Sequence, residues 1–520
     1  MAERPSHTAL MAHSQVEGGE VVLSYAELSE RAALLAGALG ERGVEQGDRV
    51  VILLTNAGSV EAHVAYHASH RLGAINVPLN TFYVERELRY ALGFVEPAAV
   101  VFGPDLAALL SSALGPDARP TLVEVAREPV LGEALPALTE DAATAPPVPL
   151  SETADADWIF TSGTTGHPKA VALSHANSVA CGYEAMHVWG LDRASVYQNS
   201  SPFFTSTGSH TNQLACLAAR CTNVVDPQPS LEAIMDRAVR AGTTSLFLLT
   251  ALLAMLFRRI DDGRIARLDP GLLRRLTYGG QTMPREFHER VQREFGDERG
   301  IGLGLVYGLT EGGTCGLLLD PEDHREAVRR HGPYGMPIGT RGWNDWVDWR
   351  IVGEDGAHAA PGEVGEIRLR APSMMSRYVN DEEATARTLV KGWLHTGDMA
   401  TIDEAGFVYF VDRDKQMIRR GGMNIASAEV EAVAMSHPAV AEAVALGRPN
   451  PVLGEDVHLV VVLEEDAAAG GDEIVEHCRC GLADYKVPRS VEFIDELPRN
   501  PMGKVVRGEI KTSFAEEARR

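Results

Sequence analysis

The stretch from Thr161 to Lys169 reads Thr-Ser-Gly-Thr-Thr-Gly-His-Pro-Lys and combines two glycines, four hydroxyl side chains and a lysine. Glycine lets backbone N–H groups approach an anion closely, hydroxyl groups donate hydrogen bonds, and the ammonium group adds a point charge. The apolar run before it, residues 157–160, predicts a strand that leads into the loop. This composition indicates a phosphate-binding loop, although a polar turn between two strands uses the same residue types. It differs from the common P-loop, in which Gly-Lys precedes Ser or Thr.

Length and charge limit the classes of function. A chain of 520 residues exceeds what one hydrophobic core usually serves, so at least two domains are expected. The chain carries 48 basic and 72 acidic residues, a net charge of −24, which argues against a nucleic-acid partner or an anionic membrane surface. An anionic substrate must therefore meet a local positive site rather than a favourable overall field.

The sequence also indicates a cytoplasmic protein without a membrane span. The six cysteines lack the spacing of a zinc site, and a chain of this length is not a small disulfide scaffold. Residues 1–20 lack the basic and then apolar pattern of a secretory signal. The most apolar stretch, Ser245–Phe257, is shorter than the ~20 residues that a membrane-spanning helix needs, so we expect a buried strand that continues into a helix.

Strand and helix patterns alternate along the first part of the chain. Ser24 and Glu27 have capping-box spacing and predict the start of a helix after a strand at Val21–Leu23. The other predicted strands of this part are Asp48–Leu54, Ala98–Phe102, Ser245–Leu249 and Arg275–Tyr278. Such alternation favours an α/β domain with largely parallel sheets. The Ala-, Pro- and Glu-rich residues 128–151 predict a surface connection.

The pattern changes in the last third of the chain. Between about Val347 and Val411, short alternating strands such as Gly365–Arg370 and Phe407–Val411 predict a small β-rich subdomain. From Asp412 onwards we expect a compact unit with a helix and two strands, at Glu429–Met435, Val457–Leu463 and Val491–Ile494. The predicted fold class is therefore α/β: a large N-terminal domain of α/β subdomains plus a β-rich subdomain, then a small α+β C-terminal domain.

Five further segments carry residue types suited to nucleotide chemistry. Each one alone has an ordinary interpretation as a turn, a solvated charge or a linker. They are Tyr278-Gly-Gly-Gln281, Tyr307-Gly-Leu-Thr-Glu311, Gly392-Trp-Leu-His-Thr-Gly-Asp398, the charged and Gly-rich residues 412–425, and Pro498-Arg-Asn-Pro-Met-Gly-Lys504. In this order and at these spacings they resemble, over nearly the whole chain, the acyl-adenylate-forming superfamily. That superfamily contains acyl-CoA synthetases, adenylation domains and luciferases, and the resemblance is closest to the AMP-dependent acyl-CoA synthetases.

The resemblance implies a ligase with two half-reactions. A small carboxylic acid and ATP, with Mg²⁺, would give acyl-AMP and pyrophosphate, and coenzyme A would then take the acyl group as a thioester. The alternatives are a stand-alone adenylating enzyme that passes the acyl group to a carrier protein or to an amine. A non-enzymatic ATP-binding regulator is disfavoured because Glu311 and Lys504 are both retained. The acid, the acceptor and the oligomeric state stay open.

The resemblance also assigns roles to individual residues. Lys504, Lys169 and Thr310 would be catalytic, Glu311 would bind the metal, and Lys415 would be the hinge. Residues 1–412 would form the AMP-binding domain, 413–416 the hinge region and 417–520 a mobile lid domain. The acyl pocket would include Phe204, Thr205, Gly279 and Gly308, and the coenzyme A tunnel Gly421 and Gly422. The ATP-binding residues would be Thr161, Ser162, Gly163, Thr164, Thr165, Gly166, Gly280, Gln281, Tyr307, Asp398 and Arg413.

Several positions depart from the family pattern. Ala170, Met423 and Gln416 stand where Gly, Glu and Asp are common. Thr205 stands where many acyl-CoA synthetases have a histidine that gates the substrate. A small hydroxyl side chain there leaves the carboxylate side more open, and the polar residues 206–212 follow. Thr205 and this polar run disfavour a long-chain fatty acid and favour a short, polar or aromatic acid.

Substitution of Lys504 tests the predicted transition-state contact. Lys504→Ala should lower the rate of acyl-AMP formation by ~10²-fold or more, because one well-placed charge contact is lost. Thioester formation from pre-made acyl-AMP should change much less. Pre-steady-state measurement of both half-reactions decides this. Acyl-AMP formation at close to the wild-type rate would remove Lys504 from the mechanism.

Overall fold

The computed structural model describes residues 4–115, 118–161, 168–227, 230–263, 271–280, 283, 285–314, 316–330, 335–413, 416–420, 423–450, 452–465, 467–499 and 505–510. The strands are β1 (Thr8–Ser14), β2 (Gly19–Ser24), β3 (Arg49–Leu53), β4 (Ile75–Pro78), β5 (Ala99–Phe102), β6 (Thr121–Glu124), β7 (Glu133–Ala134), β8 (Asp155–Thr161), β9 (Lys169–Ser174), β10 (Val196–Asn199), β11 (Thr222–Val225), β12 (Ser245–Leu249), β13 (Arg275–Gly279), β14 (Gly302–Gly308), β15 (Gly316–Leu319), β16 (Arg341–Gly342), β17 (Asp348–Val352), β18 (Gly365–Arg370), β19 (Arg377–Tyr378), β20 (Leu389–Val390), β21 (Trp393–Ile402), β22 (Val408–Arg413), β23 (Ile418–Arg420), β24 (Met423–Ile425), β25 (Val440–Asn450), β26 (Gly454–Leu463) and β27 (Ser490–Phe493).

The α-helices are α1 (Tyr25–Glu41), α2 (Ser59–Leu72), α3 (Glu85–Val95), α4 (Ala107–Ala113), α5 (Leu135–Glu140), α6 (His175–Val188), α7 (Gln213–Ala219), α8 (Leu231–Ala241), α9 (Thr250–Asp261), α10 (Arg285–Val291), α11 (Pro321–Arg329), α12 (Glu382–Thr388), α13 (Ser427–Met435) and α14 (Gly471–Gly481). The segments Ser206–Asn212 and Gln292–Asp297 are π-helices. Short 3₁₀ turns lie at Asn56–Gly58, Pro104–Leu106, Thr310–Gly312 and Asp484–Lys486.

Two large sheets form the N-terminal part. Sheet A has the order β16-β15-β14-β13-β12-β10-β11-β1-β2, and its inner strands from β14 to β1 pair in parallel. Sheet B has the order β19-β9-β8-β4-β3-β5-β6-β7, parallel from β8 to β7. Parallel strands need crossover connections, and helices supply most of them. The predicted α/β domain with largely parallel sheets is confirmed.

Two smaller sheets follow in the chain. Sheet C has the order β17-β18-β21-β20, with β22 paired to β21, and its pairings are antiparallel. It is the expected β-rich subdomain. Sheet D has the order β24-β23-β26-β25, with β27 parallel to β26, and with α13 and α14 it forms the expected α+β unit.

The predicted start of the first helix is confirmed. The Ser24 hydroxyl accepts a hydrogen bond from the backbone N–H of Glu27, and the Glu27 carboxylate accepts one from the backbone N–H of Ser24. These two bonds satisfy two N–H groups that a helix end otherwise leaves unpaired. The α1 face that carries Leu28, Leu35 and Leu39 is buried against the core. Ser245–Phe257 is also as predicted, a buried strand that continues into a helix.

Residues 128–151 form the predicted surface connection, since nearly all of them are exposed or partly exposed, but the segment has more structure than its composition indicates. The segment contains β7 and α5, and Leu135 and Leu138 of α5 are buried. The backbone N–H of Ala145 donates to the carbonyl of Ala33 in α1 at 3.0 Å. A Cβ atom at Gly37 would lie 1.7 Å from the Ala143 carbonyl oxygen. Tertiary contact with α1 therefore orders a segment whose composition is typical of a loop.

In the part of the chain that the structure describes, no helix combines the length and the hydropathy needed to cross a membrane.

The close approach at Gly37 gives a stability prediction. Gly37→Ala should lower the melting temperature, because overpacking typically costs about 1–3 kcal/mol and here exceeds the gain in helix propensity. Gly93→Ala in α3 is the matched control, since nothing lies within 4 Å of the added Cβ. That variant should melt at or above the wild-type temperature. If Gly37→Ala melts no lower than the wild type, residues 143–145 do not pack against α1 as described.

Candidate active site

Several predicted site residues of the N-terminal part lie where parallel strands of sheet A end. Strands β10, β12, β13 and β14 are neighbours and point the same way, so their carboxyl ends share one edge. Phe204 and Thr205 follow β10, Gly279 and Gly280 end β13, and Tyr307–Glu311 ends β14 and forms the next turn. The carboxyl edge of parallel strands is where ligands bind in open α/β sheets.

Tyr307, Asp398 and Arg413 come together from three strands. The Tyr307 hydroxyl donates to Asp398 Oδ2 at 2.5 Å, and Arg413 Nε lies 3.0 Å from Asp398 Oδ1. Asp398 is only 2 % exposed, whereas the Arg413 side chain is 52 % exposed. Burial and the neighbouring Asp398 carboxylate hold the pKa of the Tyr307 hydroxyl well above its usual range, so it stays protonated and donates. The cluster presents a fixed carboxylate beside an aromatic ring.

The backbone around Asp398 is held from sheet C. Gly397 has φ +70°, a left-handed conformation that favours glycine, and its N–H donates to Glu366 Oε1 at 3.1 Å. The N–H of Asp398 donates to the Thr396 hydroxyl, which itself donates to the Ile367 carbonyl. These bonds fix the turn that places the Asp398 carboxylate against Tyr307.

The glycine pair after Tyr278 is required by close approach and backbone conformation. A Cβ at Gly279 would lie 2.5 Å from the carbonyl oxygen of Val306 in the adjacent strand. Gly280 has φ +109°, which side-chain-bearing residues rarely adopt. The two residues therefore leave bare backbone at the end of β13, next to Tyr307 of β14.

Thr310 and Glu311 lie in the 3₁₀ turn after β14. The hydroxyl oxygens of Thr310 and Ser206 are 3.2 Å apart, which ties this turn to the π-helix that follows Thr205. Glu311 Oε1 accepts a hydrogen bond from the Tyr378 hydroxyl at 2.8 Å. Burial and the Glu311 carboxylate raise the pKa of the Tyr378 hydroxyl well above its usual range, so it too stays a donor.

Lys169 begins β9, directly opposite Thr161 of β8 in the antiparallel register. Its ammonium group lies 3.0 Å from Asp381 Oδ2 and 4.8 Å from the centre of the Tyr378 ring. The backbone N–H of Ala384, which donates to the Asp381 carboxylate, lowers the pKa of this carboxyl group most, and the hydrogen bond from Lys169 lowers it further. Lys169 and Glu311, predicted to act on phosphates and metal, thus share Tyr378 as a neighbour.

The predicted acyl-pocket residues have defined neighbours. The rings of Phe204 and Phe82 meet edge to face with centres 5.9 Å apart, and Phe82 is 56 % exposed. The Thr205 hydroxyl accepts from the backbone N–H of Gly208 and donates to the Pro202 carbonyl, so it caps the π-helix. Gly308 pairs with Gly316 between β14 and β15. The expected open space beside Thr205 stays a prediction.

Part of the predicted site lies outside the described residues: Ser162, Gly163, Thr164, Thr165, Gly166, Gln281, Lys415, Gly421, Gly422 and Lys504. The sequence reasoning missed Ser206, Tyr378 and Asp381. Two of these residues have a weak signal in the sequence. Ser206 is one hydroxyl in a polar run, and Asp381 is an aspartate at the N-cap of α12, and both are common features. Only the pairing of β19 with β9 brings Tyr378 beside Lys169.

Comparison with known proteins agrees with this geometry. The sequence model of the AMP-binding enzymes matches residues 1–379, and that of the AMP-binding enzyme C-terminal domain matches residues 429–504. A feruloyl-CoA synthase from Amycolatopsis sp. is 33 % identical over 514 residues, which cover 96 % of this chain and 95 % of the relative.

Solved structures show the same similarity. The o-succinylbenzoate CoA synthetase from Bacillus subtilis, in complex with its acyl-adenylate intermediate, has a TM-score of 0.83 and 27 % identity, covering 98 % of this chain and 96 % of that one. An amide bond synthetase from Marinactinospora thermotolerans has a TM-score of 0.83 and 27 % identity, covering 98 % of both chains.

The fold and the clustered residues define an acyl-adenylate-forming enzyme. The chain belongs to the AMP-binding enzyme family, and it activates a carboxylic acid as the acyl-adenylate. The predicted family, fold class and enzyme class are confirmed.

Substitution of Asp398 tests the predicted ribose contact. Asp398→Ala should raise the KM for ATP about tenfold or more with a smaller change in kcat. The reason is that the hydrogen bonds from the ribose hydroxyls to the charged carboxylate would stabilise bound ATP and the transition state equally. The matched control is Asp403→Ala, since Asp403 also accepts from a tyrosine, Tyr409, and lies near an arginine, Arg330, elsewhere in the chain. An Asp398→Ala enzyme with the wild-type KM for ATP would contradict the ribose role.

Proposed function

We propose that the protein is an AMP-forming acyl-CoA synthetase for a small aromatic or other compact carboxylic acid, and that it acts in two half-reactions. The grouping of Tyr307, Asp398 and Arg413 at the carboxyl edge of sheet A, beside Thr310 and Glu311, carries the proposal. A nucleotide at this edge would place its base on Tyr307, its ribose hydroxyls on Asp398 and its phosphates towards Thr310 and Lys169.

In the first half-reaction a carboxylate oxygen attacks the α-phosphorus of ATP. The bond from that phosphorus to the bridging oxygen breaks, and pyrophosphate leaves with the electron pair. The chemistry depends on positioning and on neutralisation of charge. Lys169 and Thr310 supply a cation and a hydroxyl donor near the predicted phosphates, and we assign Lys504 to the substrate carboxylate and the α-phosphate. In the second half-reaction a thiolate attacks the acyl carbon and AMP leaves.

The residues around Glu311 suit Mg²⁺. Mg²⁺ prefers oxygen ligands and is usually held by one or two carboxylates together with substrate phosphates. Glu311 Oε1 accepts from Tyr378, which fixes the carboxylate at the end of β14 close to Thr310. Bound there, the ion would neutralise phosphate charge. Glu311 and the phosphates of ATP would hold it.

We propose the domain boundaries 1–412, 413–416 and 417–520, with Lys415 as the hinge. Strand β22 ends at Arg413 and sheet D begins at Ile418, which supports a connection between these points. Asp412 Oδ2 accepts from both the backbone N–H and the hydroxyl of Ser427, at 2.6 and 2.7 Å. These bonds hold the start of α13 against the N-terminal part and would have to break when the lid rotates. Gly421 and Gly422 are proposed to line the path of coenzyme A.

Two observations support an aromatic or compact acid. The edge-to-face pair Phe82 and Phe204 lies next to Thr205 and offers an aromatic wall beside the strand ends. The acyl groups named for two similar proteins, the feruloyl group of the feruloyl-CoA synthase and the o-succinylbenzoyl group of the o-succinylbenzoate CoA synthetase, are both aromatic. Both similarities favour coenzyme A as acceptor. The amide bond synthetase, which is as similar in structure, supports an amine as the second candidate acceptor.

A carboxylate panel tests this proposal. We expect pyrophosphate release with a hydroxycinnamate or a benzoate derivative and a much lower rate with palmitate. With the best acid, coenzyme A should accelerate AMP release by at least about tenfold, or ~1.4 kcal/mol in barrier. Acceleration by a primary amine but not by coenzyme A would replace the thioester with an amide product. Absence of acid-dependent pyrophosphate release with every acid would contradict the activation step itself.

A further inference from the structure

The bridge segment, residues 375–381, connects the strand of Lys169 to the turn of Glu311. On one side the backbone N–H groups of Ser376 and Val379 donate to the carbonyls of Ala172 and Ala170 in β9, each at 2.9 Å. On the other side the N–H of Met375 donates to the Glu311 carbonyl at 2.9 Å. The segment therefore fixes the edge of sheet B relative to the end of β14 in sheet A.

Two side chains of the bridge segment reach the predicted phosphate side of the site. Tyr378 donates its hydroxyl hydrogen bond to Glu311 Oε1 at 2.8 Å while its ring lies 4.8 Å from the Lys169 ammonium. Asp381 Oδ2 lies 3.0 Å from the same ammonium. Its other oxygen accepts from the backbone N–H of Ala384 and caps α12, so the carboxylate is held in place.

The backbone between these side chains is also specified. Asn380 has φ +55°, and asparagine is one of the few residues with a side chain that tolerates this region well. The Thr385 hydroxyl accepts from the N–H of Tyr378 and donates to the Asp381 carbonyl at 2.8 Å. Tyr378 and Asp381 are thus parts of one ordered turn rather than independent surface residues.

We propose that Tyr378 and Asp381 are positioning residues that set the two charges on the phosphate side of the site. Tyr378 orients the Glu311 carboxylate for Mg²⁺, and Asp381 holds the Lys169 ammonium until the phosphates of ATP replace it. The inference rests on the proposed function, which gives Glu311 and Lys169 their roles.

The two residues act in opposite directions on nucleotide binding. The Tyr378 hydroxyl occupies one carboxylate oxygen of Glu311 and restricts its rotation, which favours binding of a metal by the other oxygen. Asp381 competes with phosphate for one ammonium group, so it weakens binding of the free nucleotide. At the same time it keeps the cation in place, because a partly exposed lysine side chain without a partner samples many rotamers.

Calorimetric titration of the full chain with ATP, without any carboxylic acid, separates the two effects. The titration is done once in EDTA and once in saturating Mg²⁺. Tyr378→Phe keeps the ring and loses only the hydroxyl, so the strengthening of ATP binding by Mg²⁺ should fall by about tenfold, the usual size of a hydrogen bond to a charged group. Asp381→Asn keeps the helix cap, and it should strengthen ATP binding in EDTA about threefold, because a partly exposed ion pair no longer competes with the phosphates.

The matched control is Tyr409→Phe, which also removes a tyrosine hydroxyl that donates to a carboxylate, that of Asp403. It should leave both titrations unchanged. The inference is overturned if Mg²⁺ strengthens ATP binding equally in Tyr378→Phe and the wild type, or if Asp381→Asn binds ATP in EDTA no more tightly. If the Tyr378 hydroxyl had a purely structural role, Tyr378→Phe would lower the melting temperature without changing the effect of Mg²⁺ on ATP binding. Failure of the proposed function would appear separately, as wild-type enzyme without acid-dependent pyrophosphate release.

Discussion

The contact of one buried carboxylate, Asp398, with Tyr307 and Arg413 joins three strands at the proposed nucleotide site. An ionised carboxylate is costly to bury unless it is paired and hydrogen-bonded. Here one oxygen accepts from Tyr307 at 2.5 Å and the other lies 3.0 Å from Arg413. Tyr307 belongs to sheet A and Asp398 to sheet C. Arg413 also belongs to sheet C, where it is the last residue of β22 before the connection to sheet D. The contact therefore fixes the β-rich subdomain on the carboxyl edge of the larger sheet.

The positive charges of the proposed site act against the overall charge of the protein. A net charge of −24 repels a nucleoside triphosphate at long range, so binding of the nucleotide depends on positively charged groups within a few ångströms of it. Among the described residues, Lys169 and Arg413 are two such cations. Lys169 is paired with the carboxylate of Asp381, and Arg413 with that of Asp398. The partners differ in burial. Asp398 is almost completely buried, whereas the Asp381 side chain is 36 % exposed, so we propose that Asp381 rather than Asp398 gives up its cation to a ligand.

Much of the fold could be predicted because its signals are local. The capping box of Ser24 and Glu27, the apolar strands of the α/β part and the short alternating strands of sheet C are all visible in a few consecutive residues. The site strings could be recognised for the same reason. The packing of residues 143–145 on α1 could not, because it depends on a tertiary contact at Gly37. The pairing of β19 with β9 likewise joins residues about two hundred positions apart, and only it reveals Tyr378 and Asp381 as neighbours of Lys169.

In the proposed mechanism the substrate carboxylate attacks the α-phosphorus of ATP. Turnover of a carboxylic acid labelled with ¹⁸O in both carboxylate oxygens, in the presence of ATP, Mg²⁺ and coenzyme A, tests it by mass spectrometry of the products. One labelled oxygen becomes the bridge of the acyl-adenylate and leaves with AMP when the thiol attacks the acyl carbon. We expect AMP with one ¹⁸O atom and unlabelled pyrophosphate. Unlabelled AMP, or label in orthophosphate or pyrophosphate, would contradict it.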